Sequence, residues 1–291
     1  MHQSDDPQER RTAWHATGVF LAITFALSAV FLYLVARKGE FNLLLVTGLM
    51  WSPGIAAVLT CVYLQRPVAS MPWSWGEWRW NGYAWLLPIA YGLAMYLPVW
   101  LFGLGGSSYG NPETLANWSS QVSANAETSL SAVILFLVLT GTIGIVGTAS
   151  RALGEEIGWR GFLIWELRKV MPFWMVGIMS GLIWSIWHWP GILLGDYNAG
   201  EGNFFLQMLL FTVGIVPFGI IYAYFTFKSN SLWPAVLLHA SHNLFIQQVF
   251  TPFTIRGNGT HFYIDEFGIL LPIVSCVVAF YFYRRARAEG L

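Results

Sequence analysis

Residues 154–162 have the sequence GEEIGWRGF, and this stretch decides how the chain is interpreted. Glu155, Glu156 and Arg160 lie here between long apolar runs. A charged side chain at membrane depth costs at least about 2.5 kcal/mol, so such residues are rare in spans and mark functional sites. The stretch therefore predicts a functional site inside a membrane protein.

The composition supports a location in the bilayer. The chain has 291 residues, is 56% hydrophobic and only 10% charged, and has a mean hydropathy of +0.54. Soluble domains carry about 25% charged residues, so the composition indicates a polytopic membrane protein surrounded by membrane lipid. The formal net charge is zero and no basic block occurs, so no nucleic-acid partner is expected.

Apolar segments long enough to cross a bilayer recur along the chain, since a spanning helix needs roughly 20 residues. We predict an all-α, polytopic membrane protein with about eight transmembrane helices. It forms one integral membrane domain over residues 1–291, and the motifs lie within about 130–250. The predicted spans cover residues 16–36, 43–64, 83–102, from 130, from 173, 204–227, 232–250 and 267–283, and a polar loop covers 105–128.

Lysine and arginine set the orientation, because they accumulate in cytoplasmic loops. With both termini in the cytoplasm, twelve of the 15 Lys and Arg residues lie in inside segments. Only Arg37, Lys38 and Arg256 lie outside. We therefore expect a multi-pass protein of the cell (plasma) membrane with both termini cytoplasmic, and its short loops are typical of a bacterial protein.

The rise per residue of a helix predicts that several polar residues lie at the same depth in the membrane. Residues 130–169 would measure roughly 60 Å as a helix, so this segment projects past the bilayer or bends before a turn at residues 168–172. Glu155 lies about fifteen residues before that turn and His188 about seventeen after it, so they come level in an antiparallel pair. His239 lies at a similar depth in the seventh span. We therefore predict a polar cavity in the inner half of the membrane.

Spacing separates the roles of the two glutamates. Glu156 and Arg160 are four residues apart, so they share a helix face and can pair. Glu155 is turned about 100° from Glu156 and is expected to point into the cavity. His239 and Asn243 are also four residues apart and share a face.

Two kinds of hydrolytic site fit these residues. A carboxylate and a histidine beside one water can remove its proton, and a second histidine with an asparagine amide can donate hydrogen bonds to an oxyanion. Alternatively, Glu155, His188 and His239 can hold Zn²⁺ with water in an open position. Residue identity leaves both possibilities open, so the expected cofactor is either none or Zn²⁺.

Two other classes of protein are also consistent with these residues. Buried Glu, His and Arg side chains also form the ion or proton path of transporters. Transporters often contain related halves, and this chain has no internal repeat. A membrane immunity or scaffold protein that acts by binding alone is the remaining alternative.

Three motifs occur in order on separate predicted spans: Glu155-Glu156-x-x-x-Arg160, Trp187-His188-Trp189-Pro190 and His239-x-x-x-Asn243. Together they resemble the motifs of the CAAX-protease and bacteriocin-processing family of intramembrane proteases. Many relatives have Phe four residues before the second-motif histidine, where this chain has Trp184. The exchange keeps an aromatic side chain and is expected to alter packing more than chemistry.

The resemblance implies an eight-helix membrane fold with a cavity open towards the cytosol, and an intramembrane endopeptidase activity. It implies that Glu155 is the general base and that His188 helps to bind or activate water. His239 and Asn243 would stabilise the oxyanion of the intermediate. The implied substrate is a peptide or protein, with or without a lipid anchor, because eukaryotic relatives cleave prenylated proteins and many bacterial relatives act in bacteriocin processing or immunity.

The resemblance also separates supporting residues from residues without a role. Glu156 and Arg160 would support the site. His242 lies outside the motif positions, so no role is carried to it, and it is expected to be packed or hydrogen-bonded.

Overall fold

The computed structural model describes residues 4–38, 42–104, 110–123, 128–194, 197–200, 202–257 and 259–291. Throughout these ranges the regular structure is helical, and no β-strand occurs in them. The all-α fold predicted from the apolar runs is therefore confirmed.

The N-terminal part of the chain forms three long helices. They are α1 (Pro7–Lys38), α2 (Leu43–Tyr63) and α3 (Trp78–Leu101). Helix α2 begins after Asn42, whose side chain accepts a hydrogen bond of 3.0 Å from the backbone N–H of Leu45. This is a favourable N-cap, because it satisfies one of the unpaired donors of the first turn.

The polar loop expected at residues 105–128 falls partly outside the described residues, and its described part contains a further helix. Helix α4 covers Pro112–Val122. Asn111 caps its first turn by accepting a 3.0 Å hydrogen bond from the backbone N–H of Glu113. Proline suits the first helical position because it needs no N–H donor there. The loop prediction is wrong for this segment, since it considered polarity and not the Asn-Pro start signal.

The central helix, α5, covers Leu130–Val170 and carries the first motif. Two π-helical segments interrupt its α-helical geometry, at Thr140–Gly144 and Ile157–Leu163. Such segments change the direction of the following side chains and occur frequently at functional sites. The helix has 41 residues and is roughly 60 Å long, so it extends past a bilayer core.

In the described residues, four helices of ten or more residues follow α5. Helix α5 ends at Val170 and α6 begins at Phe173, so the chain reverses at the turn predicted for residues 168–172. These helices are α6 (Phe173–Leu194), α7 (Phe204–Ser229), α8 (Trp233–His242) and α9 (Leu270–Ala288). Helix α8 continues directly into a π-helical segment, Asn243–Phe250.

Five of the described helices are long and apolar enough to cross a membrane, namely α1, α2, α3, α5 and α7. The prediction of eight spans is therefore not confirmed in number. Helices α6 and α9 have 22 and 19 residues, but polar side chains such as His188 and Arg284 reduce their apolar character. Helix α8 has only 10 residues before its π segment begins.

The spanning helices expose many large apolar side chains, whereas several charged residues are buried. Each spanning helix exposes large hydrophobic side chains, among them Val30, Leu44, Leu101, Ile143 and Phe205. Soluble proteins rarely expose apolar surface of this extent. The buried charged residues include Glu155, Glu156, Arg160, Glu166 and Glu266. This distribution identifies a multi-pass membrane protein whose polar groups face its interior.

A close contact between α2 and α5 holds the first motif in the core. A Cβ atom at Gly154 would lie 2.7 Å from the Cα atom of Trp51. One at Gly158 would lie 2.5 Å from the Cβ atom of Pro53. Glycine is therefore required for this approach, as at other close helix contacts in membranes. Across the same contact, the Trp51 indole donates a 3.1 Å hydrogen bond to the carbonyl oxygen of Ser150.

Candidate active site

A cavity of about 220 Å³ brings together residues from all three motifs. Its wall contains Glu155 from α5, His188 from α6, His239 from α8 and Asn243 from the π segment that follows α8. Helix arithmetic predicts that Glu155, His188 and His239 meet, and in the structure all three line this cavity. Helices α1 and α2 supply apolar lining residues, namely Leu32, Val46, Leu49 and Met50.

Glu155 is held by two tryptophan indoles. The residue is 2% exposed, and its Oε2 atom accepts a 2.7 Å hydrogen bond from Nε1 of Trp184. Nε1 of Trp159 lies 3.4 Å from the same oxygen. A buried carboxylate needs such donors, because its desolvation is otherwise costly. Its other oxygen, Oε1, has no donor among the described residues and is available to a water molecule in the cavity.

Glu156 and Arg160 form a buried ion pair behind the cavity wall. Both residues are 0% exposed, and Nη1 of Arg160 donates a 2.9 Å hydrogen bond to Oε1 of Glu156. The guanidinium carbon lies 3.9 Å from the ring centroid of Tyr222 and 4.5 Å from that of Trp184. Such cation–π contacts stabilise a desolvated guanidinium. The pair also packs against the same Trp184 indole that holds Glu155.

Both motif histidines are fixed through Nδ1. In His239, Nδ1 lies 2.8 Å from Oε1 of Glu156, and in His188 it lies 2.8 Å from the backbone carbonyl oxygen of Trp184. A carbonyl or an ionised carboxylate can only accept, so Nδ1 carries the proton in both rings. Nε2 is therefore the ring nitrogen that remains for substrate or water.

Asn243 and His242 are neighbours with different surroundings. Asn243 lines the cavity, and no hydrogen bond joins its side chain to the described residues. His242 is 6% exposed, with Nε2 2.9 Å from Oε1 of Glu266 and Nδ1 2.5 Å from the Tyr91 hydroxyl. Both of its ring nitrogens are occupied, so His242 is a hydrogen-bonded residue as expected.

Sequence reasoning missed three polar residues that line the same cavity, namely Tyr197, Gln247 and Glu266. Oε2 of Glu266 accepts hydrogen bonds from the Tyr197 hydroxyl at 2.5 Å and from Nε2 of Gln247 at 2.9 Å. The three lie on separate segments, so no local spacing connects them. One signal was present: Glu266 directly precedes the last apolar run, where an ionisable residue is unusual.

The arrangement does not fit a zinc ion with three protein ligands. In the part of the chain that the structure describes, no group of three or more His, Cys, Asp or Glu side chains is placed to hold a metal ion. Nδ1 of His188, Nδ1 of His239 and Oε2 of Glu155 are engaged by other groups, so a metal would have to bind through the two Nε2 atoms and Oε1 of Glu155. The remaining donor atoms of these residues do not form a metal-binding cluster.

Comparison with known proteins gives two similarities. Residues 128–245 match the family described as "Type II CAAX prenyl endopeptidase Rce1-like". The CAAX prenyl protease 2 of Methanococcus maripaludis is 33% identical over 95 residues. That alignment covers 31% of this chain and 34% of the relative, so it spans about a third of the relative's length. The family match includes every residue of the three motifs.

Proposed function

We propose that this chain, whose residues 128–245 match the Rce1-like family of CAAX prenyl endopeptidases, belongs to that family and is an intramembrane endopeptidase. One observation carries the proposal: Glu155, His188, His239 and Asn243 all line the same cavity. The reaction is the hydrolysis of a peptide bond by an activated water molecule.

Glu155 is the general base of this reaction. Trp184 holds its Oε2 atom, so Oε1 can take one proton from a cavity water, while Nε2 of His188 accepts a hydrogen bond from the other water hydrogen. The hydroxide that forms attacks the carbonyl carbon of the peptide bond. A cavity of about 220 Å³ has room for a water molecule, whose share is about 30 Å³, beside a peptide group.

His239 and Asn243 stabilise the tetrahedral intermediate. The Asn243 amide donates one hydrogen bond to the oxyanion, and His239 donates a second from Nε2 in its imidazolium form. The Glu156 carboxylate, 2.8 Å from Nδ1, orients this ring. When the carbon–nitrogen bond breaks, the proton held by Glu155 passes to the leaving nitrogen. The products are a carboxylic acid and an amine.

The proposed substrate is a peptide or protein segment at the membrane, with or without a lipid anchor. The relative from M. maripaludis is named a CAAX prenyl protease. In this chain the apolar wall formed by Leu32, Val46, Leu49 and Met50 would suit an apolar group next to the scissile bond. We further propose a bacterial cell-membrane protein, one integral domain over residues 1–291, with both termini in the cytoplasm, where most of its Lys and Arg residues would lie.

The test replaces the base with an isosteric neutral side chain. Wild type and Glu155→Gln are reconstituted in phospholipid vesicles with two internally quenched peptides, one carrying a prenylated cysteine before three C-terminal residues and one without the lipid. We expect cleavage to fall by about 10²–10⁴-fold in Glu155→Gln, and to be unchanged in the exposed control Glu77→Gln. Full activity of Glu155→Gln would remove Glu155 as the base.

The natural substrate is identified by a second comparison. Membrane peptides from cells that contain the wild type are compared by mass spectrometry with those from cells that contain Glu155→Gln. Peptides that accumulate uncut only with Glu155→Gln are substrates. Identical peptide profiles in the two cell lines would contradict a protease function.

A further inference from the structure

A second polar cluster closes the cavity beside His188, and Glu266 lies at its centre. Glu266 is 4% exposed, and its two oxygens receive three donors. Oε1 pairs with Nε2 of His242 at 2.9 Å, and Oε2 accepts from the Tyr197 hydroxyl at 2.5 Å and from Nε2 of Gln247 at 2.9 Å. A buried carboxylate with this number of donors is held in one position, because each lost hydrogen bond would leave buried charge unsatisfied.

The cluster is also fixed from its far side. The Tyr91 hydroxyl, on α3, lies 2.5 Å from Nδ1 of His242 and is buried with it. The network therefore joins α3, the end of α8, its π continuation and the segment before α9. Buried polar networks in which each member is satisfied are rigid. The position of the Glu266 carboxylate is thus fixed, and so is that of the Tyr197 hydroxyl that it binds.

Tyr197 connects this anchor to His188. The two rings lie 5.7 Å apart between centroids with an angle of 33°. Phe211 contacts both rings, with centroids 5.1 Å from His188 and 5.9 Å from Tyr197. The Nδ1 hydrogen bond to the Trp184 carbonyl fixes only one atom of the imidazole. Ring contacts on the other side are needed to set the direction of Nε2.

We propose that Tyr197 is a positioning residue for His188 and that Glu266 anchors it through the hydroxyl. The inference rests on the proposed function, in which Nε2 of His188 orients the attacking water. Tyr197 lies on the connection between α6 and α7 rather than on a helix. Without its anchor the ring no longer holds the imidazole, and small displacements of a catalytic group lower the rate strongly.

The kinetic test removes only the hydroxyl. In vesicles with the quenched prenylated peptide, Tyr197→Phe is expected to lower kcat about tenfold and to leave KM unchanged, because the substrate contacts are kept. The matched control is Tyr224→Phe, which removes a hydrogen bond of the same kind, 3.0 Å long, to Glu289. The control is expected to retain the wild-type kcat, since it lies outside the cavity wall. An equal loss of kcat in both variants would overturn the proposal.

A double-mutant cycle separates positioning from a general loss of structure. In the His188→Ala background, Tyr197→Phe is expected to cause no further loss, because the group that it positions is gone. Glu266→Gln should lower kcat to the same extent as Tyr197→Phe, and the two changes together should not exceed either alone. A further tenfold loss in the His188→Ala background would overturn the proposal.

A third measurement does not depend on turnover. Diethyl pyrocarbonate modifies imidazole nitrogens, and mass spectrometry quantifies modification of His188 in the intact protein. We expect Tyr197→Phe to raise the modification rate of His188 several-fold and Tyr224→Phe to leave it unchanged, with the exposed His15 as internal reference. Equal rates at His188 in wild type and Tyr197→Phe would overturn the proposal. If His188 responds but the wild type cleaves neither peptide, the proposed function fails and the positioning role stands.

Discussion

Replacement of Glu156 by glutamine tests whether a buried ion pair supports the cavity. Oε1 of Glu156 accepts hydrogen bonds from Nη1 of Arg160 at 2.9 Å and from Nδ1 of His239 at 2.8 Å, and all three residues are buried. Glutamine keeps the size of the side chain and one acceptor oxygen, but it removes the negative charge. Arg160 then remains buried without a counter-charge, and its Nε and Nη2 already have no hydrogen-bond partner in the described chain.

The expected loss of stability follows from the buried charge that Arg160 retains. Removing one partner of a buried ion pair costs about 3–5 kcal/mol, because the other charge is left uncompensated. The rings of Tyr222 and Trp184, 3.9 and 4.5 Å from the guanidinium carbon, stabilise the remaining cation and keep the loss near the lower limit. We therefore expect Glu156→Gln to lower the free energy of unfolding by about 3 kcal/mol. Combining it with Arg160→Met should recover most of that loss, since an apolar replacement of a buried pair is often neutral.

The free energy of unfolding is measured by titrating mixed micelles with sodium dodecyl sulfate and following tryptophan fluorescence. Glu77→Gln is the control, because Glu77 pairs with Arg79 at 2.9 Å while both side chains are at least 60% exposed. Its loss should stay below about 1 kcal/mol. A loss below about 1 kcal/mol for Glu156→Gln would refute the reasoning. So would a double variant whose loss equals the sum of the two single losses, because the pair would then have no coupling energy.

Two further predictions use the same titration. Gly158→Ala should lower the free energy of unfolding by about 1–3 kcal/mol, because its Cβ would lie 2.5 Å from the Cβ of Pro53. The control is Gly147→Ala, whose Cβ would meet no atom within 4 Å. Equal losses of stability in the two variants would contradict this prediction. Asp265 lies in the segment before α9, where burial and the Glu266 charge raise the pKa of its carboxyl to about 7. The folded state thus binds this proton more tightly than the unfolded state, so the free energy of unfolding should fall as pH rises from about 4 to about 7. Asp265→Asn should reduce that fall. A pH dependence that is the same in Asp265→Asn and wild type would contradict this prediction.

Local spacing was enough to predict the all-helical class, the reversal between α5 and α6, and one contact of the site. The apolar runs predicted an all-α membrane protein, and the reversal between α5 and α6 occurs at the predicted turn. Glu156 and Arg160 pair as expected, because an i, i+4 contact depends on one helix alone. Glu155 and His188 line one cavity, as the constant rise per residue predicts for helices joined by a short turn.

Contacts between distant segments were not predictable in this way. The Trp184 indole that holds Glu155 belongs to another helix, 29 residues further along the chain. Glu266 reaches the cavity from the segment before α9, and Tyr197 reaches it from the connection after α6. No periodicity encodes these contacts, because they depend on how the helices pack. The π-helical geometry at Ile157–Leu163 has no spacing signal of its own either.

The sequence by itself determined a helical membrane protein with unusual charged and polar residues in three motifs, because hydropathy and helical spacing are properties of consecutive residues. The tertiary structure decided what those charges contact. It holds Glu155 by indole N–H groups, Glu156 by Arg160 and His239, and His188 beside Tyr197. These contacts form only where separate helices and their connections pack closely, and the energy of a buried charge depends on the partners that this packing supplies.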